Sequence, residues 1–294
     1  MFRRSAGLLL AVAALALVVV GIAGASSANS TSKLKKQPKI AKMVPAKIRS
    51  KGTLVVASDA TYAPMELIAK DGHTVIGVDA DLAKDLGIVM GLKLKVENAS
   101  FDGIIPGLKA GKYDIGMSSF TDTKARQKVV DFVTYFSAGT SFYEKASGGP
   151  AVKGLASLCG KSVAVENGTT EQTDANGQNK KCKNAGKPGV TVKAYPDQNA
   201  ANLAISSGRE QIGMADSPVA AYIVKQSHGQ FKLVGKSYGT APYGIALPKK
   251  NGMAKPMLAA VKYLMKQGSY LKVLKKWGVQ KGAISNPKIN GATS

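Results

Sequence analysis

The segment Ser118-Ser119-Phe120-Thr121-Asp122-Thr123-Lys124-Ala125-Arg126 gathers hydroxyls, the N–H groups of a helix start and a guanidinium in one short stretch. Hydroxyl and amide donors beside a helix N-terminus, with an Arg one turn on, suit a bound carboxylate. Taken alone, the same segment also reads as an ordinary helix capped by Thr121, with Arg126 in solvent. Partners for such a site are sought just beyond apolar strand-like runs, where Asp59, Gly168, Thr169 and Asp216 stand. No nucleophile–base pair accompanies them. His73 and His228 are isolated in loop-like sequence, and the Gly-rich stretches lack phosphate-loop spacing, so neither a metal nor a cofactor is expected.

The elements that must position these residues alternate. Leu54 to Ser58 predicts a buried strand, and Val78, Leu82, Leu86, Val89 and Met90 mark one face of a helix. A strand over Lys93 to Val96, a helix over Phe101 to Ala110 and a strand over Tyr113 to Ser118 follow, then a helix from Thr121 to about Lys128. After the break at Gly148-Gly149-Pro150 a second series begins with a strand over Lys161 to Glu166, and Gly168-Thr169-Thr170 turns into a helix. Strands near 190–194, 211–215, 231–234 and 243–247 and helices near 199–206 and 218–226 continue it, and two amphipathic helices near 253–266 and 269–277 close it. Two such series predict an α/β protein of two lobes, each a mostly parallel sheet flanked by helices.

Composition sets the outer limits. Of 294 residues, 45% are hydrophobic and 20% charged, which excludes a disordered chain and a polytopic membrane protein. The formal charge of +23 raises nucleic acid as a partner, but no aromatic residues interleave the basic ones, so none is expected. Arg3 and Arg4 precede an uncharged run whose most apolar part is Leu8 to Val20, and small residues follow to Ala28. This pattern predicts a secretory signal peptide over 1–28, cleaved after Ala25 or Ala28, in preference to a retained anchor. Residues 29–51 hold eight basic residues and no acid, and read as a flexible basic arm open to weak contact with anionic lipid or cell-wall polymer. In an exported protein, Cys159 and Cys182 read as one disulfide.

Several motifs stand together in order. Gly52-Thr53-Leu54-Val55-Val56 leads to Asp59-Ala60-Thr61-Tyr62-Ala63-Pro64-Met65, followed by Gly77-Val78-Asp79-Ala80-Asp81-Leu82 and Phe101-Asp102-Gly103-Ile104-Ile105-Pro106-Gly107-Leu108. Gly111-Lys112-Tyr113-Asp114, Thr123 to Arg126, Val130-Asp131-Phe132, Tyr243 to Lys249 and Lys276-Trp277-Gly278 complete the series. In these the chain resembles the extracellular amino-acid-binding proteins that deliver ligands to ABC importers.

The resemblance implies a two-lobed periplasmic-binding-protein fold of type II with two crossovers, near 138–143 and 236–241. The first lobe is then discontinuous (52–138 and 242–281), the second spans 139–241, and 282–294 is a C-terminal tail. It implies that the chain captures a polar amino acid by lobe closure, with the permease subunits of an importer as partner. Tyr62 and Phe101 would sandwich the ligand side chain, and Arg126 would pair with its α-carboxylate, assisted by Thr121 and by the N–H of Thr121 or Thr170. Ser118, Ser119 and Asp216 would take the α-ammonium, and Asp59 would face the side-chain end.

Three departures from the family pattern are Met65 in place of an aromatic, Glu171 in place of a neutral residue, and an insertion-prone loop over 173–188. The rival expectation is an exported dehydratase-like enzyme on the same fold, acting on prephenate-like substrates with Glu171 or Glu166 as its acid or base.

Overall fold

The computed structural model describes residues 34–292, so the signal-peptide expectation over 1–28 and the start of the basic arm lie outside the described residues. The part of the arm that is described is not flexible. It forms α1 (Pro38–Met43) and α2 (Ala46–Lys51). Ile40, Val44 and Ile48 recur at helical spacing and join the main core, Ala41 is buried beside them in sequence, and the Gln37 N–H donates to the Val89 carbonyl at 2.9 Å. Apolar residues sparsely placed among the lysines suffice to dock a short helix against a neighbour, even where propensity alone would not form one.

The first series then runs β1 (Thr53–Ser58), β2 (Thr61–Tyr62), β3 (Glu66–Ile68), β4 (Val75–Ile76), α3 (Val78–Met90), β5 (Lys93–Asn98), α4 (Phe101–Lys109), β6 (Ile115–Gly116) and α5 (Lys124–Gln127). The apolar face of α3 read from the sequence is the buried one. Its start is fixed by Gly77, at φ +130°, where a Cβ would lie 2.2 Å from the Met65 carbonyl oxygen. The cap of α5 is Thr123, whose side chain accepts from the Arg126 N–H, and not Thr121. Thr121 instead bridges to Tyr243, because Asp122 N–H is bound to the Pro242 carbonyl and keeps the chain extended there.

After β7 (Val130–Lys145) come β8 (Ser162–Glu166), α6 (Thr170–Asn184), β9 (Thr191–Tyr195), α7 (Gln198–Ser206), β10 (Ile212–Asp216), α8 (Ser217–Gln226), β11 (Phe231–Pro248), α9 (Ala254–Lys266) and α10 (Ser269–Lys276). Residues 173–184 are therefore helix, where a loop was expected. Ala175, Gln178 and Cys182 form its narrow buried face, and the Cys159–Cys182 disulfide ties its last turn to the segment before β8.

The strands form one eight-stranded sheet, ordered β5-β1-β6-β11-β7-β10-β8-β9, beside a small β2-β3-β4 sheet. The two flanking groups are parallel within themselves, as expected. They are joined through β7 and β11, which pair antiparallel along most of their length. The two strands expected near 231–234 and 243–247 are the two ends of β11, whose register with β7 shifts between Val234 and Tyr238 and again between Tyr238 and Ala241. No helix among the described residues is long and apolar enough to cross a membrane.

Candidate functional site

All ten residues nominated from the sequence line one cavity: Asp59, Tyr62, Phe101, Ser118, Ser119, Thr121, Arg126, Thr169, Thr170 and Asp216. Glu166 and Glu171 line it as well.

Parallel strands explain the convergence. β1 ends at Ser58, β6 at Gly116, β8 at Glu166 and β10 at Asp216, so the residues at or just beyond those ends share one crevice. Glu166 is the last residue of its strand, and the same strand-end reasoning that selected Thr169 could have selected it.

On one side, Asp59 is tightly held. Its Oδ1 accepts from the Thr61 N–H (3.1 Å) and Thr61 hydroxyl (2.6 Å), and its Oδ2 from the Phe101 N–H (2.8 Å). The Asp59 N–H donates to Ser118 Oγ at 2.9 Å. Phe101 stacks on Phe120, with ring centroids 4.6 Å apart, and the Arg126 guanidinium lies over both rings, 5.3 and 5.4 Å from their centroids. Arg126 donates to the Thr121 carbonyl and, across the crevice, to the Gly168 carbonyl, both at 2.9 Å.

On the other side, Thr169 caps α6 by accepting from the Gln172 N–H and donates its own hydroxyl to the Glu166 carbonyl at 2.7 Å. The first-turn N–H groups of α6, with its positive dipole end, thus open beside Arg126. Glu171 accepts from the hydroxyls of Thr140 (2.7 Å) and Thr170 (3.1 Å). The Tyr62 hydroxyl spans the crevice, donating to Asp216 Oδ2 at 3.2 Å and accepting from the Asp216 N–H at 2.9 Å. Asn167 also reaches across, to Asp102 at 2.7 Å.

The electrostatics are unbalanced. Four carboxyl groups, those of Asp59, Glu166, Glu171 and Asp216, face the single guanidinium of Arg126. Burial, reinforced by Glu171, holds the Asp216 carboxyl well above the usual carboxylate range. Burial and then Asp59 do the same to Glu166, whose Oε1 has no hydrogen-bond partner. Asp59 is raised by burial too, against the pull of the Thr61 and Phe101 donors. Burial lowers Arg126, and Glu171 and Asp216 oppose that. Such a cavity disfavours a net anion and favours a ligand that brings positive charge to the carboxyls. His73 and His228 lie elsewhere, and no group of His, Cys, Asp and Glu among the described residues could hold a metal ion.

Comparison with known proteins agrees with this geometry. The sequence pattern of the bacterial extracellular solute-binding proteins, family 3, matches residues 54–280. The arginine-binding protein ArgT of Corynebacterium glutamicum is 32% identical over 254 residues, covering 86% of this chain and 83% of the relative. The lysine/arginine/ornithine-binding periplasmic protein of Escherichia coli K12 is 31% identical over 234 residues, covering 76% of this chain and 87% of the relative. The structure of an ancestral arginine-binding protein bound to arginine, 35% identical, superposes with a TM-score of 0.71 over 77% of this chain and 98% of that one. Each of these is named for binding and none for a reaction.

Proposed function

Because the chain belongs to the bacterial extracellular solute-binding proteins of family 3, we propose that it captures a basic amino acid, foremost L-arginine, and presents it to the permease of an ABC importer. The carrying observation is the excess of buried carboxyls over cations in the cavity, with Glu166 Oε1 unpartnered. A zwitterion alone would meet Arg126 and Asp216 and leave Asp59 and Glu166 confronting each other. A guanidinium between those two carboxyls supplies the missing charge and donors in a planar fork that matches them.

In this reading Arg126 and the first turn of α6 take the α-carboxylate, and Asp216 with Ser118 and Ser119 takes the α-ammonium. Tyr62 and Phe101 enclose the aliphatic stem. The lobes comprise 52–138 with 242–281, and 139–241. They close by bending where β7 and β11 pass between them, near the register shifts of β11. Glu171 is engaged by two threonine hydroxyls, which hold its carboxyl against its own wall.

Isothermal titration calorimetry against the twenty amino acids is the direct test. L-arginine should bind most tightly, with lysine weaker and glutamate undetectable. Tighter binding of glutamate or aspartate would overturn the reading.

We further propose export by cleavage within 23–28, which the intact mass of the secreted protein checks; a mass retaining residues 1–28 refutes it. The exposed lysines of α1 and α2 support weak contact with an anionic surface. Salt-sensitive co-sedimentation with phosphatidylglycerol vesicles is the expected sign, and equal recovery with neutral vesicles counts against it.

A further inference from the structure

Directly behind the Ser118–Ser119 corner lie two carboxyl groups that touch no ligand position. Glu66 of β3 is fully buried and Asp79, in the first turn of α3, is 1% exposed. No Lys or Arg pairs with either among the described residues. Asp79 accepts from the Tyr135 hydroxyl at 2.7 Å and from the Ser119 N–H at 3.0 Å. Glu66 accepts from both serine hydroxyls at 3.4 Å, Ser118 at Oε1 and Ser119 at Oε2. Ser119 itself stands at φ +49°, a left-handed conformation that a non-glycine residue holds only when its surroundings impose it.

Two adjoining carboxyls in a dry pocket cannot both ionise, so the pair retains one proton. Burial and Asp79 push Glu66 well above the usual carboxylate range, and Asp79 holds the better set of donors. Donors at 2.7 and 3.0 Å on Asp79, against 3.4 Å for both contacts of Glu66, leave the shared proton on Glu66, between the two carboxyls.

A serine hydroxyl has one hydrogen and two lone pairs. With both hydrogens spent on Glu66, Ser118 and Ser119 can offer the cavity only lone pairs. One lone pair of Ser118 is already taken by the Asp59 N–H.

We propose that Glu66 and Asp79 are positioning residues that set Ser118 and Ser119 as obligate acceptors, so that this corner selects a ligand ammonium. The proposal deepens the amino-acid-binding reading and rests on it.

The test is a double-mutant cycle with L-arginine as probe, read by calorimetry alongside the melting temperature. Glu66→Gln keeps the shape, but its amide carries a second hydrogen and must turn one serine hydroxyl toward the cavity. Its Kd should rise about tenfold. In a Ser118→Ala/Ser119→Ala background the same change should cost less than about twofold, because there are no hydroxyls left to orient. Wild-type affinity in Glu66→Gln, or an undiminished loss in the serine-free background, overturns the proposal.

Should Glu66→Gln fail to fold, Tyr135→Phe replaces it in the cycle, with an expected loss of about threefold by removal of one bond to Asp79. Additive behaviour of that variant is equally fatal. Failure of wild-type protein to bind any amino acid would remove the binding reading, and this proposal with it. A binding-competent wild type with an indifferent Glu66 variant removes only the role of the pair.

Discussion

The two walls of the cavity hold their polar groups in different ways. On the wall built from β1, β6 and α4, Asp59 receives three donors from its own side, and Ser118 and Ser119 are bound from behind by Glu66 and Asp79. On the wall built from β8, β10 and α6, Glu166 Oε1 has no partner, and Asp216 reaches the Tyr62 hydroxyl only across the crevice. The first wall is set before a ligand arrives and acts as a template. The second holds Glu171 through its own threonines but carries Glu166 and Asp216, whose partners come from the opposite wall or from a ligand, so in the proposed reading it couples closure to binding.

Arg126 tests that division most severely, because it belongs to the first wall and donates into the second. Arg126→Ala removes the only cation that lines the cavity among the described residues, and leaves the ligand carboxylate buried without its partner. A loss of about 4 kcal/mol, or roughly a thousandfold in Kd, is expected from calorimetry. A loss under about tenfold would mean that the N-terminus of α6 carries the carboxylate alone.

The walls were unequally legible in the sequence. Strand ends are marked by apolar runs that stop at polar residues, and this signal, together with the family motifs, led to all ten nominated lining residues. The cap at Thr123 was missed because Thr121 is equally suitable by type, and the choice is made by the distant Pro242 carbonyl. The start of α6 was legible at Gly168-Thr169-Thr170, but its extent beyond residue 173 was missed, because the face buried there is Ala175, Gln178 and Cys182 amid polar residues, too narrow to show a helical period. The Glu66–Asp79 pair left no local trace. Asp79 looks like an ordinary acid at a helix start, and only the packing of β3 brings Glu66 to it.

Within the second wall, Glu166→Gln should weaken L-arginine binding by about 10- to 100-fold while sparing uncharged ligands such as L-glutamine. It also sharpens a pH argument. Because Glu166 and Asp216 are raised in the folded state, the stability they contribute to the empty protein is present below about pH 4, the usual carboxylate range. It is lost as pH rises through their higher folded values. A bound cation requires them ionised, so L-arginine affinity should climb with pH over the same window, with proton release on binding. In Glu166→Gln the climb should be shallower. An identical pH profile would assign the titration to Asp59 and Asp216 alone.

The smallest effect on binding is expected where the second wall is braced from outside. The Cys159–Cys182 disulfide closes a separation of 23 residues and grips the last turn of α6, about 20 Å from the cap at Thr169. By loop entropy it contributes about 3 kcal/mol of stability, so a Cys159→Ala/Cys182→Ala variant should melt roughly 10 °C lower. Its Kd for L-arginine should nonetheless stay within about twofold of wild type. The Thr169 cap, the Thr169–Glu166 bond and the Thr140–Glu171 bond all lie at the other end of the helix and hold its first turn without the disulfide. If affinity fell together with stability, the first turn of α6 would depend on the whole helix being anchored. The second wall would then be a single sprung unit, and no longer a set of side chains waiting for a partner.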